Sequence, residues 1–264
     1  FSGDIGKKGS PIIKDPDAPD AADFVVMEST YGNRSHRPLK ESIDELVAAI
    51  KSTFKRGGNV YIPSFAVGRT QDLLYILNNL VREGRIFRFD VWLDSPLAEA
   101  VTKVYVAHPE CFDDEARRFF RTPEESMKLN KLKSGNIIIA GSGMCEGGRI
   151  KHHLKHNLWR AECSVIFVGY QAAGTLGRKI VDGAKIVRVL GEDILVRAAI
   201  HTVNGFSAHA GREELLEWVS DLEGTPTIFV VHGEDEAAES FSSLLAQKHG
   251  YITHRPVDGE TVEI

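Results

Sequence analysis

The chain has 264 residues, of which 42% are hydrophobic, and its formal net charge at pH 7 is −5. This composition is typical of a globular protein that forms one large domain or two smaller ones. The negative net charge excludes a surface coated uniformly in basic residues, although a local basic cleft could still hold a nucleic acid. The sequence contains no run of about 18 apolar residues, so no membrane span is expected.

The first part of the chain alternates apolar runs with amphipathic segments. Phe24–Met27 is typical of a buried strand, and apolar residues between Leu39 and Phe54 recur at helical spacing. Further strands are predicted at 60–62, 91–93, 137–140 and 165–168, with helices after Gly68, Pro96 and Gly148. The charge-rich segment 111–133 has no assignable pattern. Alternating strands and helices predict a parallel sheet, whose ligands gather at the carboxyl ends of the strands.

After Gly183 the pattern changes. Two short apolar runs flank Gly191-Glu192-Asp193 and predict a hairpin. A helix at 213–222, a strand at 228–231 and a helix at 235–248 are predicted to follow. We therefore predict an α/β protein with three parts, namely residues 1–38, an insert at 39–180 and a return at 181–264.

Three cysteines are present at dispersed positions. Cys111, Cys145 and Cys163 lack the spacing of a metal site. An odd number of unclustered thiols is typical of a reducing compartment. We therefore expect free thiols and a cytoplasmic location.

Four short segments place an ionisable residue beside small residues, and they are Phe1–Asp4, Met27–Gly32, Phe206–His209 and Val231–Glu234. They supply two carboxylates, from Asp4 and Glu28. They also supply two imidazoles, from His209 and His232, and these are the groups that metal-assisted hydrolysis requires. Taken singly, each has a simpler interpretation, such as a turn aspartate, a hydrogen-bonded core histidine or a structural ion pair.

In this order the four segments resemble the later motifs of the metallo-β-lactamase-fold nucleases with a β-CASP insert. That family includes RNA-processing nucleases of bacteria and archaea. Further segments extend the resemblance from Phe1 to about Glu234, and they are Ile62–Arg69, Asp94–Ala98, Ser142–Arg149 and Gly169–Gly177. The resemblance implies a partial metallo-β-lactamase αββα sandwich, from residues 1–38 and 181–264, with an inserted parallel-sheet β-CASP domain at 39–180.

The resemblance also implies roles for individual residues. Asp4 would bridge two zinc ions and His232 would bind metal. Glu28 would orient His209, which would act as a general acid. The first half of the family carries a His-x-His-x-Asp-His cluster that this chain lacks, and the chain opens on Phe1. We therefore expect a C-terminal part of a longer protein, with the remaining metal ligands outside it.

Hydroxyl and glycine loops follow several of the predicted strands. Ser64 and Arg69 lie at a strand-to-helix junction, where backbone N–H groups and a guanidinium can bind a phosphate. A helix start with a surface arginine is the alternative. Similar chemistry recurs along the chain, and the predicted RNA phosphate-binding residues are Ser64, Arg69, Ser142, Arg149, Thr175 and Ser207.

Three aromatic residues, Phe65, Tyr170 and Phe206, fall in loops near these positions. Stacking on nucleobases is one interpretation of such residues. Packing within the protein is the default interpretation, and the sequence favours it.

Together these expectations predict a zinc-dependent ribonuclease that hydrolyses phosphodiester bonds of single-stranded RNA. Two zinc ions are expected in the complete protein, and no membrane partner is expected. The sequence leaves the oligomeric state open, with a homodimer as one candidate. The alternative is a catalytically silent RNA-binding or scaffold subunit of the same family. Retention of both carboxylates and both imidazoles favours the enzyme, and the long insert disfavours a hydrolase of small molecules.

Overall fold

The computed structural model describes residues 1–87, 89–108 and 134–263. The chain forms two compact units. The smaller consists of residues 1–10, 14–36 and 207–264, and the larger consists of residues 11–13 and 37–206. The segment 111–133, which includes Cys111 and has no assignable pattern, lies outside the described residues. Cys145 and Cys163 are free and buried. Within the described ranges, no helix combines the length and the apolar character that crossing a membrane requires.

The larger unit is built on a five-stranded sheet in which all neighbouring strands are parallel. In spatial order the strands are β3 (Asp90–Asp94), β4 (Asn136–Ala140), β2 (Val60–Pro63), β5 (Ser164–Phe167) and β8 (Ala199–Thr202). Strands β2, β4 and β5 are buried at every residue. Such strands occur where helices cover both faces of a parallel sheet, which confirms the predicted sheet.

Five helices of the larger unit are described, and they are α1 (Leu39–Lys55), α2 (Arg69–Arg82), α3 (Pro96–Ala107), α4 (Ile150–Asn157) and α5 (Leu176–Val181). Because side chains alternate along a strand, the sheet has two apolar faces. Val60 and Ile62 pack in a cluster with side chains of α1 and α2. Tyr61 packs in a second cluster with Leu154 of α4 and Ile180 of α5.

The predicted hairpin is confirmed, but the end of the larger unit differs from the sequence prediction. Strands β6 (Ile186–Val189) and β7 (Glu192–Leu195) are antiparallel. Their turn residues Leu190 and Gly191 have φ values of 48° and 85°, as a tight primed turn requires. The following strand, β8, was not predicted, and it pairs with β5. Residues 181–206 therefore belong to the larger unit. The sequence pattern had instead assigned all residues from 181 to 264 to the C-terminal part that returns to the first domain.

The smaller unit contains a three-stranded parallel sheet. Its order is β1 (Phe24–Glu28), β9 (Thr227–Val231) and β10 (Thr253–His254). Alternate residues of β1 and β9 pack against helices α6 (Arg212–Ser220) and α7 (Asp235–His249), in a core that includes Met27, Val230, Leu215 and Phe241. The last residues of β1 and β9 are register partners, Glu28 with Val231, so Glu28 ends its strand next to the turn that carries His232.

Candidate metal and catalytic site

Four of the predicted site residues meet in the smaller unit. Asp4, His209 and His232 place their donor atoms within 4.8 Å of one another. Asp4 Oδ1 lies 3.7 Å from His232 Nδ1, and the rings of His209 and His232 have centroids 5.8 Å apart. Glu28 lies at the base of this cluster, bonded to His209. Residues from both ends of the chain therefore form one site.

Glu28 is the buried member of the site, with a side chain that is 1% exposed. Its carboxylate accepts hydrogen bonds from the backbone N–H of Ile5 at 2.5 Å and from the Thr30 hydroxyl at 2.7 Å. Its third partner is Nδ1 of His209 at 2.8 Å. A carboxylate beside Nδ1 selects the tautomer that carries the proton there. Nε2 is therefore the nitrogen of His209 that can take part in a reaction.

The turn that carries His232 is held by hydroxyl groups of the segment Met27–Gly32. His232 has a φ of 50°, in the left-handed region that side chains rarely adopt. Thr30 Oγ1 lies 3.1 Å from the His232 carbonyl oxygen and 3.3 Å from His232 Nδ1. Ser29 Oγ donates to the Val231 carbonyl at 2.9 Å. The Thr30 hydroxyl thus lies within hydrogen-bonding distance of both Glu28 and His232.

His36, which was not among the predicted site residues, supports His209 from the other side. His36 Nε2 lies 2.9 Å from the His209 carbonyl, and the His36 ring packs edge-on against Tyr31. Burial lowers the pKa of His36 to about 4. Because a carbonyl only accepts, a neutral His36 must carry its proton on Nε2. The serine, threonine and histidine residues in and after the segment Met27–Gly32 are the sequence signal that could have identified Ser29, Thr30 and His36 as supporting groups.

The donor set suits zinc. Carboxylates and imidazoles are ligands that zinc binds in proteins. Asp4 and His232 supply one of each, and His209 also lies within reach but is hydrogen-bonded to Glu28 through Nδ1. The side chains of Asp4 and His232 are 68% and 60% exposed. The cluster is therefore accessible to an ion and to further ligands.

Two of the predicted phosphate-binding residues, Ser64 and Arg69, lie in the interior of the larger unit. They are 1% and 8% exposed. Ser64 Oγ lies 3.1 Å from Thr70 Oγ1, and Arg69 pairs with Asp72 at 2.9 Å. In this structure both side chains therefore stabilise the start of α2. Phosphate binding by them stays a prediction, and their burial does not favour it.

The other four phosphate-binding candidates differ in how accessible they are. Thr175 caps α5, accepting a hydrogen bond from the Arg178 N–H at 3.2 Å. Ser142 bonds across its own loop to Gly147, and Ser207 is buried. Arg149 pairs with Asp94, yet its side chain is 49% exposed. Arg149 is therefore the candidate best placed to meet a phosphate.

Asp94 also binds His153, and this buried pair predicts a pH dependence. Burial lowers the pKa of His153 below its ordinary 6.5, opposed by Asp94 and assisted by His152 and His156. Burial raises the pKa of Asp94, but bonds from Arg149 and His153 outweigh it, and the net shift is downward. The pKa of His153 is thus lower in the folded chain than in the unfolded chain, where it has its ordinary value of 6.5. As the pH falls below 6.5, His153 takes up a proton in the unfolded chain first, so the free energy of unfolding decreases until the folded pKa is reached.

We therefore expect the urea midpoint of unfolding to fall between about pH 7 and about pH 5. The fall should be smaller in His153→Gln, whose amide can still donate to Asp94. His249→Gln, at an exposed position of the smaller unit, should behave like the unmodified protein. An equal fall in both variants would contradict the assignment to His153.

Comparison with known proteins agrees with these features. Residues 70–180 match the Beta-Casp domain, and residues 193–256, which include His209 and His232, match the Zn-dependent metallo-hydrolase RNA specificity domain. The chain is 40% identical over 261 residues to Ribonuclease TTHA0252 of Thermus thermophilus, a match that covers 93% of the chain and 59% of that protein.

Two archaeal proteins are also similar. Transcription termination factor FttA of Pyrococcus horikoshii is 34% identical over 264 residues, covering 91% of the chain and 40% of the factor. An RNase J-like protein of Methanocaldococcus jannaschii is 30% identical over 277 residues, covering 100% of the chain and 65% of that protein. The chain thus spans 40% to 65% of the length of these three relatives.

Proposed function

The chain belongs to the β-CASP family of metallo-β-lactamase-fold proteins, and from this premise we propose that the protein is a zinc-dependent ribonuclease. The observation that carries the proposal is the cluster of Asp4, His209 and His232 beside the buried carboxylate of Glu28. A carboxylate and imidazoles in this arrangement combine a metal site with an oriented proton donor.

Asp4 and His232 are the proposed zinc ligands in this chain. Their exposed side chains leave room for further ligands from elsewhere in the protein, and two ions are proposed for the complete site. When bound, zinc supplies a Lewis acid that withdraws charge from a phosphoryl oxygen and activates water. The carboxylate of Asp4 has two oxygens, so it suits a position between two metal ions.

Glu28 and His209 are the proposed proton-transfer pair. Three donors fix the carboxylate of Glu28, and the carboxylate in turn fixes the imidazole of His209. With Nδ1–H bonded to Glu28, the imidazolium form of His209 carries a second proton on Nε2, and it gives that proton to the leaving oxygen as the bond to phosphorus breaks. The attacking water leaves its OH on phosphorus and releases its other proton to solvent, from which Nε2 is protonated again. Prior orientation of the imidazole removes an entropic cost from the step.

Single-stranded RNA is the proposed substrate. The match to an RNA specificity domain supports RNA, as do relatives named as ribonucleases. A homodimer and a cytoplasmic location stay predictions.

The test is zinc content by elemental analysis, together with cleavage of labelled single-stranded RNA by the full-length protein. We expect about two zinc ions per chain and cleavage that a chelator abolishes. Asp4→Asn should lower both zinc content and cleavage, whereas Asp258→Asn, at an exposed carboxylate of the same unit, should change neither. A folded protein that is metal-free and inert but still binds RNA would instead favour a catalytically silent RNA-binding subunit.

A further inference from the structure

Phe65 is a partly exposed aromatic residue at the carboxyl edge of the central strands. Strand β2 ends at Pro63, which is the register partner of Ala140, the last residue of β4. Phe65 follows β2 and Gly143 follows β4, so the two loops leave the same edge of the sheet. One side of the Phe65 ring lies against Gly143, where a Cβ would fall 2.7 Å from two ring carbons. Even so, Phe65 is 46% exposed.

The backbone around this ring is held in place on several sides. The Phe65 carbonyl accepts a hydrogen bond from Thr70 Oγ1 at 2.7 Å, and Ser64 N–H donates to the Ala140 carbonyl at 3.0 Å. Gln71 Nε2 donates to the Ala66 carbonyl at 3.2 Å. Because the loop is already ordered, a partner that contacts the ring incurs little further loss of conformational entropy.

The loop on which the ring rests is held as well. Gln171 Nε2 donates to the Gly143 carbonyl at 3.0 Å, and Gly177 N–H donates to the neighbouring Met144 carbonyl at 3.1 Å. Glycine at 143 leaves the space that the ring occupies. The result is a fixed aromatic surface, exposed to solvent, rather than a side chain buried in the core.

The chemistry of this edge suits a nucleic-acid strand. Arg149, with a side chain 49% exposed, follows β4 and begins α4 at the same edge of the sheet. Positive charge for the backbone and an aromatic ring for the bases are the two elements of single-strand recognition. Phe87, at 92% exposure, is another exposed ring of the same unit and provides a comparison.

We propose that the Phe65 ring stacks on a nucleobase of single-stranded RNA. The proposal rests on the proposed function, which supplies the substrate class, and it assigns the residue that holds a base. Every base has a π-face, so this contact binds any sequence with similar strength. Packing is the default interpretation for a loop phenylalanine, but the exposed part of this ring leaves a surface that packing does not use.

The experiment is equilibrium binding of a fluorescent single-stranded RNA to the full-length protein in the presence of a chelator, so that cleavage does not contribute. Phe65→Leu keeps the contact with Gly143 but lacks an aromatic ring, and it should weaken binding by roughly 5- to 150-fold. Phe65→Trp should bind as well as the unmodified protein or better. Phe87→Leu is the matched control and should bind normally.

A second arm identifies the contact as stacking. The same RNA with an abasic nucleotide at successive positions should bind the unmodified protein more weakly at one position. At that position Phe65→Leu should lose nothing further, because the two changes remove one interaction. Unchanged binding by Phe65→Leu, with a melting temperature equal to that of the unmodified protein, would overturn the inference. If Phe65→Leu fails to fold, weaker binding by a folded Phe65→Trp would overturn it.

The two proposals can fail separately. A protein that binds RNA through Phe65 but does not cleave it would refute the ribonuclease proposal and leave the stacking contact intact. A protein that cleaves RNA while Phe65→Leu binds and cleaves normally would refute only the stacking contact.

Discussion

His209→Ala is expected to reduce RNA cleavage by the full-length protein by about 10²- to 10⁴-fold, the usual contribution of a general acid. Nδ1 of His209 is committed to Glu28 at 2.8 Å, which leaves Nε2 to donate the proton. We expect the zinc content to stay unchanged. Single-turnover cleavage of labelled RNA and elemental analysis of the same samples measure the two effects.

The distances also define the outcome that would contradict this role. His209 places a donor atom within 4.8 Å of those of Asp4 and His232. Loss of zinc from His209→Ala would therefore identify His209 as a metal ligand. His249→Ala, an exposed histidine at the end of α7, is the control and should retain both zinc and activity.

Gly233→Ala is expected to lower zinc affinity by about 10- to 100-fold, as loss of support for a ligand does. A Cβ at position 233 would lie 2.3 Å from Ser29 Oγ and 2.7 Å from the Ser29 carbonyl oxygen. The hydroxyl could rotate away, but the carbonyl belongs to the backbone, so the turn that carries His232 must move. Overpacking of this kind also costs about 1–3 kcal/mol of stability. Zinc titration and urea unfolding measure the two effects.

Gly147→Ala is the matched control, because among the described residues no atom other than those of its chain neighbours would lie within 4 Å of a Cβ at this position. It should leave zinc affinity unchanged. Normal zinc affinity in a folded Gly233→Ala protein would mean that the position of the His232 turn does not determine metal binding. In that case His232 would lose its assignment as a ligand.

Local sequence pattern predicted most of the secondary structure because helices and strands depend on the spacing of neighbouring side chains. Apolar residues at helical spacing between Leu39 and Phe54 correspond to α1, Leu39–Lys55. Strand β8 was missed because Ala199–Thr202 has no distinct apolar run, and its pairing with β5 depends on residues some 35 positions earlier in the chain. Because β8 pairs with β5, the larger unit extends to residue 206.

The sequence by itself indicated the family and predicted the four residues of the candidate site, Asp4, Glu28, His209 and His232, because residue types and their order can be read without a structure. Only the tertiary structure decided which groups hold them. Glu28 and His209 lie 181 positions apart. They meet because Ile5 donates its N–H to Glu28 while the next residue, Gly6, forms an isolated antiparallel bridge with His209.

The sequence also did not predict which of the candidate side chains are buried. The same hydroxyl and arginine pattern that predicts phosphate binding places Ser64 and Arg69 in the interior and leaves Phe65 half exposed. Side-chain exposure depends on which distant loops pack over a residue, and here the neighbours of Phe65 come from Gly143, 78 positions away. Residue type therefore sets what a group can do, and packing between distant segments sets whether solvent or substrate can reach it.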